Sequence, residues 1–521
     1  MHSRAILLSL VGAVHAWNIQ KPGLELPLGA DSRAKDAIDL FTSAYADYKK
    51  YAWGHDSLAP VSKAAIDDRN GWGATIVDAM STMKMMGLED LFSEAVDFSS
   101  KIDFSRSKTS DSVSVFETTI RYLGGLISAY ELDGKKNQAL IDRSRELGDK
   151  LARAWVGLND IPYNNMDFSE DMPIIENSGI AVAGTLVLEW SKLAEYTGNK
   201  TYCQLAEKAM VVSDSPLPGL PAQGIDPSTG KPVGDYITWG GGSDSYFEYL
   251  IKYGRLTNNA SPEWTSRWLV AVDSSIRYLA QTAVGTSIPN LMYLGDYTGG
   301  RVRHISSHLA CFHGGNWIMG GRLTGNDTIV QYGLRLTDAC WNSYEKTRTG
   351  IGPEVFAYIG PDGGWTGESP TPSDLKFYQE NGFYVYNGYG YYDLRPEVLE
   401  SNFYAWRATG DIKYFNRAIA GLESIKKYCR PGVAVDGIWD VRSTNSSYIN
   451  HTESFFFAEV MKYIYLTFDD PEKFSLDKYV PTQEAKMGGH LPSAPWTGEV
   501  PQISNVPGIQ KKLSDVIEQG L

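Results

Sequence analysis

Hydrophobic and polar positions along this chain change character helix by helix rather than residue by residue. Stretches such as 114–126 and 453–465 are apolar almost all round, the mark of helices buried on every side. Stretches such as 138–152 and 413–427 carry apolar residues on one face only, at helical spacing. A short turn with a glycine joins each apolar helix to the amphipathic one after it: Leu132-Asp133-Gly134, Tyr196-Thr197-Gly198, Leu323-Thr324-Gly325 and Ala408-Thr409-Gly410. Glycine ends a helix there because it enters the left-handed region without a Cβ clash. The pattern predicts repeated αα-hairpins with one buried and one half-exposed helix each. Such pairs close into a ring, apolar helices inside and amphipathic ones outside, giving one large all-α domain. An open solenoid is the alternative. The uneven spacing and the long connections 164–176 and 360–389 count against it, and connections of that length tend to carry function.

The apolar helices hold acids where burial is costly unless the carboxylate is paired, protonated or bound. In 394–401, Pro396 suits a first helical turn, and Glu397 and Glu400 share a face near the positive end of the helix dipole. Taken alone they cap the helix and pair with Arg395. The arrangement recurs, however. Glu117 lies four residues before Arg121, at ion-pair spacing; Asp244 is an N-cap candidate with Glu248 on its face; Glu459 sits four residues after Phe455. In a ring, these acids meet in one pocket. The aromatic residues around them suit sugar rings, and carboxylates suit sugar hydroxyls. Crowded carboxyls also push each other's pKa values apart, supplying the acid and the base that glycoside hydrolysis uses. His308 is a further candidate for the pocket wall.

Composition narrows this picture. The chain has 521 residues, 43% hydrophobic, and a formal net charge of -14, which argues against nucleic acid as partner. Residues 1–16 read as a signal peptide, with Arg4, an apolar run 5–14 and a small-residue end at Ala16. No later run is long enough to span a bilayer. Sequons start at Asn199, Asn259, Asn326, Asn445 and Asn450, which favours the secretory route and a secreted product. The four cysteines allow three full pairings and do not have zinc-site spacing. Residues 17–485 are expected to form the catalytic domain, and the Pro- and Gly-rich 486–521 a surface tail.

Phe116-Glu117-Thr118-Thr119-Ile120-Arg121, Asp244-Ser245-Tyr246-Phe247-Glu248, His308-Leu309-Ala310-Cys311-Phe312, Gly352-Pro353-Glu354, Leu394-Arg395-Pro396-Glu397 with Glu400-Ser401, and Glu453-Ser454-Phe455-Phe456 with Ala458-Glu459 occur in that order. With these motifs the chain resembles the class I α-1,2-mannosidases of glycoside hydrolase family 47 over roughly residues 35 to 485. The resemblance implies an (α/α)7 barrel closed at one end by a hairpin. It implies an inverting, calcium-dependent exo-hydrolase of terminal α-1,2-linked mannose on high-mannose N-glycans; a monomer is expected, though the sequence itself does not set the number of subunits. It makes Glu117 the general acid acting through a water, Glu397 the general base and Asp244 a third essential carboxylate. Arg121, Glu248, His308, Glu354, Arg395, Glu400, Phe455, Glu459 and Glu484 would hold the sugar and its waters. A Cys311–Cys340 bridge, the pairing favoured for this chain, has its family counterpart.

In the family, calcium held by a threonine near the C-terminus and by waters binds the sugar's 2- and 3-hydroxyls at the barrel floor. Here Val480-Pro481-Thr482-Gln483-Glu484-Ala485 puts Gln483 in that place, unless a one-residue slip restores Thr482, so calcium binding is expected to be weakened or altered. Gly242 stands where endoplasmic-reticulum members carry Arg, which should widen the glycan pocket, and Ser81-Thr82 replaces the usual Asp-Thr. The altered calcium segment also leaves an alternative function, a catalytically weak protein that binds high-mannose chains.

Overall fold

The computed structural model of the protein describes residues 18–212 and 217–480. Among them, seven helix pairs form a closed double ring. The inner helices are α2 (Ala74–Met85), α4 (Gly124–Leu132), α6 (Val187–Thr197), α8 (Asp244–Leu256), α10 (His313–Leu323), α12 (Glu397–Thr409) and α14 (Met461–Phe468). The outer helices are α1 (Ala30–Ala52), α3 (Glu89–Ser99), α5 (Gln138–Leu151), α7 (Thr201–Ala209), α9 (Glu263–Tyr278), α11 (Asp327–Glu345) and α13 (Ile412–Tyr428). Each inner helix packs on the next, and the turn leading into α14 packs back on α2, which closes the ring. Outer α1 covers α14, so the first helix of the barrel seals the last. This is the all-α (α/α)7 barrel.

The two helix types bury what the sequence pattern predicts. Every residue of α8 is buried, and α12 is buried from Glu397 to Ala408. On α5 only Leu140, Ile141, Ser144, Leu147, Gly148 and Leu151 are buried, one stripe facing the core. Gly198 and Gly410 end α6 and α12 at φ +73° and +66°.

The two ends of the barrel differ. Turns such as 133–137, 324–326 and 410–411 connect inner to outer helices at one end. At the other end long connections run from outer to inner helices, and every strand among the described residues lies in them, in six sheets of two or three strands. The connections 164–176 and 360–389 are not structureless. The first is a hairpin of Asn165–Asp167 with Met172–Ile174; the second holds the capped helix Pro372–Asn381 and the strand Tyr384–Val385. Backbone groups at a crowded mouth need partners, and short strands supply them.

The Cys311–Cys340 disulfide joins the entry of α10 to α11, with Cα atoms 5.9 Å apart; Cys203 and Cys429 are free. No helix among the described residues is long and apolar enough to cross a membrane. Asn199 and Asn445 are exposed, whereas Asn259 is buried and accepts a hydrogen bond from Thr265. The expected signal peptide 1–16 and tail 486–521 lie outside the described residues, as do residues 481–485 of the expected catalytic domain.

Candidate active site

The long-loop end of the barrel opens into a cavity of about 180 Å³, lined by Glu117, Arg121, Asp244, Arg395, Glu397, Phe455 and Glu459, with Gly241, Gly242 and Leu309 among the wall residues. Drug-sized ligands occupy roughly 300–1,000 Å³, so this hole suits one sugar unit. Asp244 and Glu397 each begin an inner helix, where the helix dipole favours a carboxylate. Asp244 is the first helical residue rather than the expected cap. Ser243 holds the cap position, and no side chain caps the helix.

Two of the inner helices reach the cavity through a π-helical turn. Thr118–Leu123 carries Arg121, and Phe456–Val460 carries Glu459. An extra residue per turn re-aims the side chains that follow, and such turns recur at functional sites. Leu394, directly before Arg395, is fully buried at φ +54°, a strained conformation for a branched side chain. The packing around Leu394 holds that strain, and it delivers Arg395 to the cavity.

Each acid has its own partner. Arg121 Nε donates to Glu117 Oε2 at 2.6 Å, and Arg69 Nε to the same oxygen at 3.2 Å. Burial opposes the Glu117 charge, but the two guanidinium groups outweigh it and hold the carboxyl below its ordinary pKa. Glu397 Oε2 lies 2.7 Å from His308 Nδ1, whose Nε2 is 2.7 Å from the Tyr344 hydroxyl. A carboxylate accepts, so Nδ1 carries a proton. Burial again opposes the charge, and His308 and Arg395 lower the Glu397 pKa against it. At Asp244, burial first, then Glu397 and Glu248, push the pKa up to about 7. The Ser245 N–H and Arg395 pull the Asp244 pKa down, but they do not outweigh the opposing effects. Arg395 does not pair with Glu397 or Glu400 as a simple capping scheme requires. Its Nε contacts both carboxylate oxygens of Glu354, at 2.9 and 2.7 Å.

His308 and Glu354 thus stand behind the cavity wall and orient the residues in it. Glu248 and Glu400 lie deeper. Glu248 is ion-paired with the buried Lys252, and Glu400 accepts from Tyr463 at 3.1 Å. Burial raises the Glu400 pKa well above the ordinary value; Lys252 counteracts this and Glu248 adds to it. Phe455 lies under the Arg121 guanidinium, 5.4 Å from ring centroid to carbon.

A model of glycosyl hydrolase family 47 matches residues 40–487. The chain belongs to glycosyl hydrolase family 47. It is 41% identical over 483 residues to the "probable mannosyl-oligosaccharide alpha-1,2-mannosidase 1B" of Aspergillus clavatus, covering 88% of this chain and 92% of that protein. It is 39% identical over 469 residues to the "mannosyl-oligosaccharide alpha-1,2-mannosidase 1B" of Aspergillus oryzae, covering 86% and 89%. The solved alpha-1,2-mannosidase from Trichoderma reesei superposes with a TM-score of 0.83 at 34% identity, covering 87% of this chain and 98% of that one.

Within this family 47 chain, several residues at the site escape motif reading. Arg69, the second cation on Glu117, comes from the connection 53–73. That connection is folded around Asp56, which accepts from the backbone N–H groups of Gly71, Gly73 and Ala74. The Asp56 side chain also accepts from Tyr122 of the Arg121 turn, 66 residues on. Asp78 of α2 supports Arg121 at 3.6 Å. None of these lies near the acidic motifs in sequence. Gly242 lines the cavity at φ +88°, and a Cβ there would meet the Gln223 amide at 2.6 Å. A side chain at this position is therefore strained and requires the Gln223 amide to move.

Among the described residues, one group of acids and imidazole is compact enough for a metal: Asp68, His451 and Glu453, ligand atoms within 4.8 Å of one another. Its own charges already fill it. His451 reaches Asp68 with Nε2 and Glu453 with Nδ1, each at 3.0 Å. Burial opposes the imidazolium, but the two carboxylates raise its pKa to about 10. A histidine charged on both nitrogens is no ligand. The deep acids do not form so compact a group, though they share one neighbourhood. Glu248, Glu400 and Glu459 all act on Tyr463, and Glu400 Oε2 is buried with no hydrogen-bond partner. The expected ligands Thr482 and Gln483, and Glu484 beside them, lie outside the described residues.

Proposed function

We propose that the protein is an inverting exo-hydrolase that removes terminal α-1,2-linked mannose from high-mannose N-glycans in the secretory pathway. One observation carries the reading. Two carboxyls in a cavity for one sugar have pKa values pushed in opposite directions, Asp244 up to about 7, so that it keeps its proton below that pH, and Glu397 down, so that it stays ionised. The family membership and the names of the fungal relatives support the linkage and the substrate.

In this mechanism the terminal mannose enters the cavity and the rest of the glycan stays outside. Glu397, with one oxygen held by His308, takes the proton of the attacking water. Attack from the face opposite the leaving oxygen inverts the anomeric centre. The proton for the leaving oxygen rests on Asp244 in the free enzyme. Glu117, kept ionised by Arg121 and Arg69, orders the water that passes this proton on. That moves the proton's resting place from Glu117, the acid implied by family resemblance, to Asp244. Arg395, fixed by Glu354, and Phe455 orient the ring. Thr482 or Gln483, with waters ordered by Glu248, Glu400 and Glu459, would hold a calcium ion, which when bound would supply a positive anchor for sugar hydroxyls.

Mannose release from a high-mannose oligosaccharide, measured with and without chelator, tests the reading. Release that chelation abolishes and calcium restores is expected. Tight glycan binding with no release would overturn the hydrolase reading in favour of a glycan-binding protein.

A further inference from the structure

We propose that a second cavity beside the active site binds a distal, non-reacting mannose arm of the substrate. This rests on the mannosidase reading above. The second cavity encloses about 330 Å³, larger than the first, and lies in the same long-loop end of the barrel. Its wall combines Glu368, Ser369, Asn387 and Arg442 with the largely buried Tyr384 and Tyr386. Carboxylate, hydroxyl, amide and guanidinium groups match the hydroxyl rim of a sugar, whose apolar C–H faces suit aromatic rings nearby.

The path between the cavities is also aromatic. Tyr386 and Tyr389 have centroids 5.7 Å apart, Tyr389 and Tyr391 6.3 Å, and Tyr391 and Trp439 6.1 Å. Trp439 is 54% exposed and Tyr389 42%. Tyrosine and tryptophan normally bury most of their area, and these two do not. At Tyr391 the row passes behind the first cavity's wall. The Tyr391 carbonyl accepts the Glu354 N–H, and the Glu354 carboxylate holds Arg395. The floor beneath the row is rigid. Strand Val355–Ala357 follows Glu354 and pairs with Tyr384–Val385 of the second cavity, and Arg303 ties the Tyr386 hydroxyl to the Thr366 carbonyl. On the far side Arg442 is fixed by both oxygens of Asp440, at 2.8 and 3.2 Å. One branch can therefore occupy the catalytic hole while its neighbour follows the ring path into a preformed pocket. A disaccharide is too short to reach both.

The experiment compares α-1,2-mannobiose with a branched high-mannose oligosaccharide, using full-length protein and the variants Tyr389→Ala, Trp439→Ala and Arg442→Ala. These side chains are exposed and outside the catalytic machinery. Losing one stacking or polar contact should raise KM for the branched substrate about tenfold while leaving both constants for mannobiose unchanged. Titration of the branched glycan into Glu397→Gln protein, with and without Trp439→Ala, gives the same comparison as a binding constant. Equal effects on both substrates, or none on either, overturn the second subsite. Unaltered protein inert toward both would sink the hydrolase reading itself, and the two failures are thereby distinct.

Discussion

The two ends of this barrel are made from the same helices and do opposite work. At one end, turns as short as 410–411 close each inner helix on its outer partner. At the other, connections such as 53–73 and 346–396 carry all the strands, the strained Leu394 and the charged groups around the cavity. Both π-helical turns, Thr118–Leu123 and Phe456–Val460, open on this second end. Stability is concentrated where the chain is short and regular. Function is concentrated where backbone strain and buried charge are held in place by the rest. Substitutions at the two ends should accordingly separate activity from stability.

The largest effect is expected at the cavity. Glu397→Gln should lower kcat by about a thousandfold, the scale of general base catalysis, while the thermal midpoint moves little; activity above a tenth of normal would remove Glu397 from the base role. The pH profile sharpens the same contrast. Asp244 must be neutral and Glu397 ionised, so kcat/KM should fall as pH rises past about 7 and fall again only below the ordinary carboxylate range. If Asp244 holds the proton, the alkaline limb disappears in Asp244→Asn and persists in the residual activity of Glu117→Gln. The reverse result returns the proton to Glu117.

The triad of Asp68, His451 and Glu453 tests whether the loop end also carries stability. The His451 pKa is raised above its unfolded value, so its contribution is complete below about 6.5 and is lost as pH rises through about 10. Asp68 behaves oppositely. Burial opposes its charge, but His451 and Arg69 lower its pKa to about 2, so its share is lost as pH falls below 3.8 toward that value. Removing the imidazole with His451→Ala should cost roughly 2 kcal/mol at neutral pH, read by denaturant titration; a cost near zero would make the triad ornamental. At the short-turn end, Gly410→Ala combines φ +66° with a Cβ only 2.9 Å from Leu24, and should cost about 1–2 kcal/mol with kcat/KM unchanged. Gly198→Ala meets nothing within 4 Å and should cost only about 1 kcal/mol, the conformational term alone. Equal losses at the two glycines would show that the Leu24 contact relaxes freely.

Reading the site from sequence succeeded where partners are close along the chain. The Glu117–Arg121 pair is legible because four residues place both on one helical face. The same logic failed for Arg395, whose partner is Glu354, 41 residues back, not an acid of its own helix. Arg69 was missed because it meets Glu117 only after the connection 53–73 folds around Asp56.

The order of apolar and amphipathic helices, the glycines that join them and the acids set among apolar residues were all determined by the sequence, because helix period, left-handed turns and the cost of burying charge are local properties. The tertiary structure alone decided that Glu397 faces His308 across 89 positions while burial at Asp244 outweighs the pull of Arg395. Desolvation and Coulomb interaction depend on distance in space, and only closing the ring brings those distances into being.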